Sequence, residues 1–176
     1  MIRARVITCS DSAANGTRED RSGPAVREFL EQHDCKVDHV VVVPDDIDVI
    51  GGAIMHAVDR GARLVVTTGG TGVGPRDFTP EATMRVCERI VPGFGELMRA
   101  ASMSKTPMAA LSRATACTRG PALVINVPGS VSGAVENLEA VMHLIPHALQ
   151  LLGGDTEHDD GTQSAERRAQ SAERRT

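Results

Sequence analysis

The 176-residue chain is 41% hydrophobic and 24% charged, the balance of a globular domain built on one compact core. A formal net charge of −4 and only three aromatics, Phe29, Phe78 and Phe94, with no Trp or Tyr, exclude the usual devices for holding nucleic acid, a clustered basic field and a base-stacking platform. No apolar run reaches the roughly 18 residues of a membrane span and no apolar leader opens the chain, so the expected location is the cytoplasm, away from any membrane.

RARVITC (3–9) reads as a first buried strand. The polar loop SDSAANGTREDRSG (10–23), with a turn at Asn15-Gly16, leads into a helix over 21–33 with Pro24 in its first turn. KVDHVVVVP (36–44) is a second strand, DDIDVIGGAIMHAVDRG (45–61) a helix opened by aspartates and closed by Gly61, and ARLVVTT (62–68) a third strand. After the glycine loop TTGGTGVGPRDFTP (67–80), Thr79-Pro80-Glu81 predicts a helix to about Arg89. Pro92-Gly93 should break it before another begins near Phe94. SRATACTRGPALVINVP (112–128) reads as two strands turning at Arg119-Gly120-Pro121, a hairpin at the sheet edge. A helix over 132–154 follows, which Pro146 should kink or divide.

Beyond Gly154 the text changes to DTEHDDGTQSAERRAQSAERRT, with almost nothing apolar to bury. The expected division is a domain over 1–154 and a charged tail over 155–176, a solvated helix or disordered. The seven-residue repeat of QSAERR lacks the apolar a and d positions of a coiled coil. The four cysteines, Cys9, Cys35, Cys87 and Cys117, are scattered without CxxC spacing, which argues against a zinc site or a disulfide framework and reads as small buried hydrophobes. His143 and His147 share a helix face but would need a third ligand to hold a metal, so packing or surface roles are expected.

Alternating strands and helices predict an α/β fold of three layers, a mainly parallel sheet with helices on both faces and an antiparallel edge hairpin. Ligands in such sheets bind beyond the carboxyl ends of the strands. Four polar segments should converge there: Ser10-Asp11, Asp45-Asp46, Gly69-Gly70-Thr71-Gly72 and Asn126-Val127-Pro128-Gly129-Ser130. The glycines suit a backbone nest for phosphate or, equally, a turn needing positive φ. They form neither a Walker loop nor a dinucleotide fingerprint. Asp77 and Asp45 each read alone as helix-start residues. Together, at neighbouring strand ends beside such a nest, they suit Mg²⁺, which takes one or two carboxylates plus phosphate oxygens. Asn126 offers a donor and an acceptor to a heterocycle edge.

SDSAANGTREDRSG (10–23), TTGGTGVGPRDFTPEAT (67–83), PGFGELMR (92–99), ALSRA (110–114) and INVPGS (125–130) occur in the order seen in the MogA/MoaB family of molybdenum-cofactor biosynthesis, and the chain resembles that family over about residues 3–154. The resemblance implies a molybdopterin adenylyltransferase that uses Mg²⁺ and ATP to convert molybdopterin to adenylyl-molybdopterin with release of pyrophosphate. It implies Asp45 and Asp77 as the catalytic and magnesium-binding carboxylates and Gly69 to Gly72 as the phosphate-holding segment. Ser10, Asp11, Asn126, Pro128, Gly129 and Ser130 are implied as walls for the two substrates, molybdopterin and ATP. A homotrimer and a MoeA-type molybdenum insertase are the implied partners; a non-catalytic molybdopterin carrier or an oligomeric scaffold is the alternative. Ser130-Val131-Ser132-Gly133 departs from relatives that follow this turn with asparagine-proline.

Overall fold

The computed structural model describes residues 1–154; the tail expected over 155–176 lies outside the described residues. The first strand, β1 (Ile2–Cys9), is followed by a single helical turn, α1 (Asp11–Ala14), and by α2 (Ser22–Glu31). Next come β2 (Cys35–Val43), α3 (Ile47–Asp59), β3 (Leu64–Thr68), α4 (Thr79–Val86), β4 (Arg89–Ile90) and α5 (Pro92–Met103). A 3₁₀ turn (Pro107–Leu111), β5 (Ala116–Arg119), β6 (Ala122–Val127), α6 (Val131–Val141), a second 3₁₀ turn (Met142–Leu144) and α7 (Ile145–Leu152) complete the order.

The sheet runs β2-β1-β3-β6-β5-β4. β2, β1, β3 and β6 are parallel, while β5 is antiparallel to β6 and to β4. Alternation along each strand feeds two cores. Val6, Leu64, Val66, Leu123 and Ile125 face α2, α5, α6 and α7 through Leu30, Met98, Leu138 and Ile145. Ile7, Val65 and Val124 face α3 and α4 through Ile50, Ile54 and Ala82. Ile54 has no exposed surface, so truncation to alanine would cost about 2–5 kcal/mol.

The register fixes where the loops meet. Cys9 lies opposite Val43, Thr8 opposite Thr68 and Thr68 opposite Val127, so all four parallel strands end at one edge. As expected, Pro146 divides the last helix, falling in the first turn of α7 where its missing N–H costs nothing.

Two expectations fail on the far side of the sheet. The helix predicted to run to Arg89 stops at Val86, and Arg89–Ile90 is instead the outermost strand, so the hairpin is one strand in from the edge. The free side of β5 decides this by taking the backbone N–H of Glu88 on the Thr118 carbonyl (2.9 Å) and that of Val91 on the Ala116 carbonyl (2.8 Å). Tertiary pairing outweighs helix propensity there. The expectation that all four cysteines are unbridged is also corrected: Cys87 and Cys117, 30 residues apart, form a disulfide, while Cys9 and Cys35 are free and buried. Spacing could not show this pair, because the same β4–β5 contact creates it.

Candidate active site

At the end of β1 the chain turns sharply. Ser10 caps α1, its Oγ accepting the Ala13 N–H at 3.3 Å. Asp11 and Asp45, brought side by side by the Cys9–Val43 register, exchange two hydrogen bonds: the Asp11 N–H donates to Asp45 Oδ2 (2.8 Å) and the Asp45 N–H donates to Asp11 Oδ1 (3.0 Å). Arg76 closes the arrangement with a forked bond, Nε to Asp11 Oδ2 and Nη2 to Asp11 Oδ1, both at 2.9 Å. The other oxygen of Asp45, Oδ1, is buried without a hydrogen-bond partner among the described residues. Burial pushes the Asp45 carboxyl above its ordinary range against the pull of the Asp11 N–H, whereas the Arg76 bond holds Asp11 below it. The cap of α3 belongs to Asp46, whose Oδ1 accepts the N–H groups of Asp48 and Val49 at 3.0 Å. Asp45 is therefore free of the capping task that its sequence position also suggested.

The glycine loop begins with two residues in the left-handed region, Gly69 (φ 101°) and Gly70 (φ 61°). A Cβ on Gly69 would lie 2.3 Å from the Cys9 carbonyl oxygen, and one on Gly70 would lie 2.4 Å from Thr79 Oγ1 and 3.1 Å from Asp45 Oδ1. The reading of these glycines as a turn that needs positive φ thus holds, and close packing against Cys9 and Thr79 is a second reason for glycine here. Thr79 ties the loop's far end to its start, donating Oγ1–H to the Gly69 carbonyl (2.8 Å) and N–H to the Gly70 carbonyl (3.1 Å). Asp77 does not cap α4. It turns back, its Oδ2 accepting the Gly74 N–H at 2.7 Å.

Two cavities of about 590 and 600 Å³ open at this edge. The first is lined on the α5 side by Arg99, Lys105, Met108 and Leu111, and the second on the α1–α2 side by Ser10, Arg18, Asp20 and Asp45. They share Gly70, Asp77, Gly129 and Ser130, which form the seam between them. Thr71, Gly72 and Pro128 line only the first, Gly69 only the second. Two expected wall residues stand behind the walls. Asp11 lines neither cavity and is engaged by Arg76 and Asp45. Asn126 is fully buried, donating Nδ2–H to Thr67 Oγ1 and Thr83 Oγ1 at 2.9 Å each, and so ties β6 and β3 to α4 beneath the loop. Its place inside β6 points it into the layer under α4.

Arg113 is a loop-holding residue that sequence reasoning left without a role. Its guanidinium reaches the Gly72 carbonyl (2.6 Å), the Asp77 carbonyl and the Glu81 carboxylate, clamping both ends of the loop to α4. An arginine just before a strand carries no local sign of such a task. The signal lay in its membership of the ALSRA segment. Among the described residues no three His, Cys, Asp or Glu side chains converge as a metal cluster. Asp45 Oδ1 with Asp77 at the seam fits the sparser set that Mg²⁺ takes beside phosphates.

The comparisons with known proteins agree with one another. The family described as "Probable molybdopterin binding domain" matches residues 5–147. A molybdopterin adenylyltransferase of Helicobacter pylori strain J99 is 43% identical over 157 residues, covering 88% of this chain and 89% of that protein. A molybdenum cofactor biosynthesis bifunctional protein of Synechococcus elongatus is 40% identical over 153 residues, 87% of this chain but 48% of that protein. Among solved structures, the molybdopterin biosynthesis enzyme MoaB of Thermus thermophilus superposes with a TM-score of 0.82 at 46% identity, over 88% of this chain and 98% of that one. With the sheet order, the glycine loop and the paired strand-end carboxylates in place, the chain belongs to the MogA/MoaB family of molybdopterin-binding domains.

Proposed function

We propose that this protein is a molybdopterin adenylyltransferase, transferring AMP from ATP to the terminal phosphate of molybdopterin with release of pyrophosphate. The observation that carries the reading is the pair of similar cavities meeting at Gly70, Asp77, Gly129 and Ser130, with the unpartnered Asp45 Oδ1 beside Gly70. Two substrates can occupy the two cavities with their phosphates meeting at the seam. A phosphate oxygen of molybdopterin attacks the α-phosphorus of ATP, the bond to the bridging oxygen breaks, and pyrophosphate leaves. No covalent nucleophile is required, so the protein's work is alignment and neutralisation of charge.

Asp45 and Asp77 would hold Mg²⁺, which when bound offsets negative charge on the leaving group. Burial of Asp45 Oδ1 removes the water that would otherwise compete for that oxygen. The backbone of Gly70 to Gly72 approaches a phosphate closely because no side chain intervenes. Ser10, Gly69, Thr71, Pro128, Gly129 and Ser130 shape the walls, and Asp11 and Asn126 act from behind them.

The same reading extends to assembly and place. α5 exposes Leu97 and Met103, apolar surface of the kind that self-association covers, which supports an oligomer; that it is a homotrimer rests on the family resemblance. The Synechococcus relative, named bifunctional and about twice as long as the matched region, supports a link to another step of molybdenum cofactor biosynthesis; a MoeA-type insertase as that partner rests on the family resemblance. None of the described helices is long and apolar enough to cross a membrane; the cytoplasm as the place of work is part of the proposal.

Pyrophosphate release on mixing the protein with molybdopterin, ATP and Mg²⁺ tests the proposal. Release that needs all three and is lost in Asp77→Asn is expected. Tight molybdopterin binding without release would make the protein a carrier.

A further inference from the structure

The glycine loop reaches across the site with one side chain. Arg76, adjacent to Asp77, forks onto Asp11, 65 residues away in sequence, and its guanidinium carbon sits 5.7 Å from the centre of the Phe78 ring. The Asp11 oxygen that accepts Arg76 Nη2, Oδ1, also accepts the Asp45 N–H. The Asp11 N–H in turn takes Asp45 Oδ2, which leaves Oδ1 as the one Asp45 oxygen without a partner. A forked guanidinium fixes a carboxylate in rotation as well as position, which a point charge does not. Released from Arg76, the Asp11 carboxylate would be free to turn away from the Asp45 N–H, so the Asp45 backbone would lose that anchor and with it the placement at which Oδ2 meets the Asp11 backbone N–H and Oδ1 stays inward.

We propose that Arg76 is a positioning residue for the proposed transfer: through Asp11 it sets the orientation of Asp45, and because it shares a loop with Asp77 it ties the placement of the two carboxylates to each other. The inference rests on the adenylyltransferase reading for its catalytic consequence, but its structural core stands apart from it. Arg76 needs no contact with either substrate for this role. Its side chain is 60% exposed, so its replacement leaves the hydrophobic cores untouched and the variants should fold.

Crystal structures of the metal-free full-length protein and of Arg76→Ala test the structural core directly. In the variant Asp45 should leave its inward rotamer; an unchanged Asp45 with Oδ1 still buried and unpartnered would overturn the proposal whatever the protein's activity. Mn²⁺, followed by electron paramagnetic resonance in the presence of ATP, supplies the second readout. Arg76→Ala should raise the half-saturating Mn²⁺ concentration about tenfold or more, as loss of a ligand-orienting group does elsewhere, and Arg76→Lys should restore little of it. Wild-type affinity in Arg76→Ala, or full rescue by Arg76→Lys, would overturn the forked-bond mechanism. If Asp45 turns out as expected in Arg76→Ala while the wild-type protein releases no pyrophosphate, the adenylyltransferase reading alone fails.

Discussion

The two carboxylates proposed to hold Mg²⁺ reach their places by different routes. Asp45 follows a strand; its backbone is fixed by the parallel pairing of β1 with β2 and its side chain by an exchange of bonds with Asp11. Asp77 sits on a loop without regular structure between β3 and α4, and it is held by the Gly74 N–H on one side and by Arg113 on its carbonyl. One position is set by the sheet, the other by a bond within the loop and one arginine arriving from a distant part of the chain. Substitutions on the sheet side should therefore damage folding or chemistry outright, and those on the loop side should loosen geometry in a fold that survives.

The largest effect is expected where the two routes touch. Gly69 has φ 101°, and a Cβ there would fall 2.3 Å from the Cys9 carbonyl oxygen of the neighbouring strand. Gly69→Ala would combine a left-handed backbone, costing about 1–3 kcal/mol, with a clash against main chain that cannot swing aside. Denaturation should show a loss of at least about 3 kcal/mol, or no folded protein. A variant as stable as wild type would show that the strand-end geometry is softer than the contacts imply.

Asp45→Asn comes next, and it should separate stability from function. Turnover should fall on the order of 10²–10³-fold, the size expected when a charged group aimed at the reacting phosphates is removed. Stability should move the other way. Because burial raises the Asp45 pKa in the folded state, the native protein binds the extra proton, and the Asp45 contribution to stability is lost as pH rises from the ordinary carboxylate value through the raised one. Removing the charge should lift the thermal midpoint at neutral pH, by a margin that shrinks on acidification toward about pH 4. Asp11, whose pKa Arg76 depresses, has the opposite sign: its contribution is present above the ordinary carboxylate value and is lost as pH falls through the lowered one. Melting curves of wild type, Asp45→Asn and Asp11→Asn across this range would check both signs.

Arg113 tests the loop side. Arg113→Ala would leave the Glu81 carboxylate and the Gly72 and Asp77 carbonyls without their shared donor. A loss of about 2 kcal/mol is expected, from charge-assisted bonds at a half-exposed site. Pyrophosphate release should fall about 100-fold, as misplacement of one aligned group does, and protease cleavage within 72–77 should rise. Arg113→Lys cannot span three acceptors and should recover the smaller part. Undiminished release with the fold intact would mean that the bond to Gly74 suffices for Asp77.

The difference between the two routes also explains what the sequence made legible. Valine-rich runs with helices between them show the parallel sheet and thus the edge where Ser10, Asp45, Gly69 and Gly129 gather, because strand ends are local features. Asp45 was legible as a residue of that edge, but its freedom from capping was not, since Asp45 and Asp46 look alike until the helix start is known. Asn126 and Asp11 were assigned to the walls because strand-end position says nothing of side-chain direction or of an arginine arriving from Arg76. Arg113, β4 and the Cys87–Cys117 bridge share one cause. Each is a contact between segments that no local periodicity relates, created only after the β5–β6 hairpin adds to the sheet.

Ser130 carries the smallest expected effect and the sharpest distinction. It lies on the seam, yet its Oγ accepts the Gly133 N–H at 3.3 Å as the cap of α6. The same residue opens the departure from the asparagine-proline pattern, and a side chain that caps a helix has one acceptor fewer for a ligand. If capping is its whole task, Ser130→Ala should lower stability by about 1 kcal/mol and leave the KM for both substrates unchanged, while Ser130→Asp, also a competent cap, should restore the stability. If the hydroxyl touches a substrate, the KM for that substrate alone should rise in Ser130→Ala, and Ser130→Asp should raise it further by setting a carboxylate against phosphate. A KM effect confined to molybdopterin or to ATP would also assign the seam's Gly129–Ser130 wall to one of the two substrates.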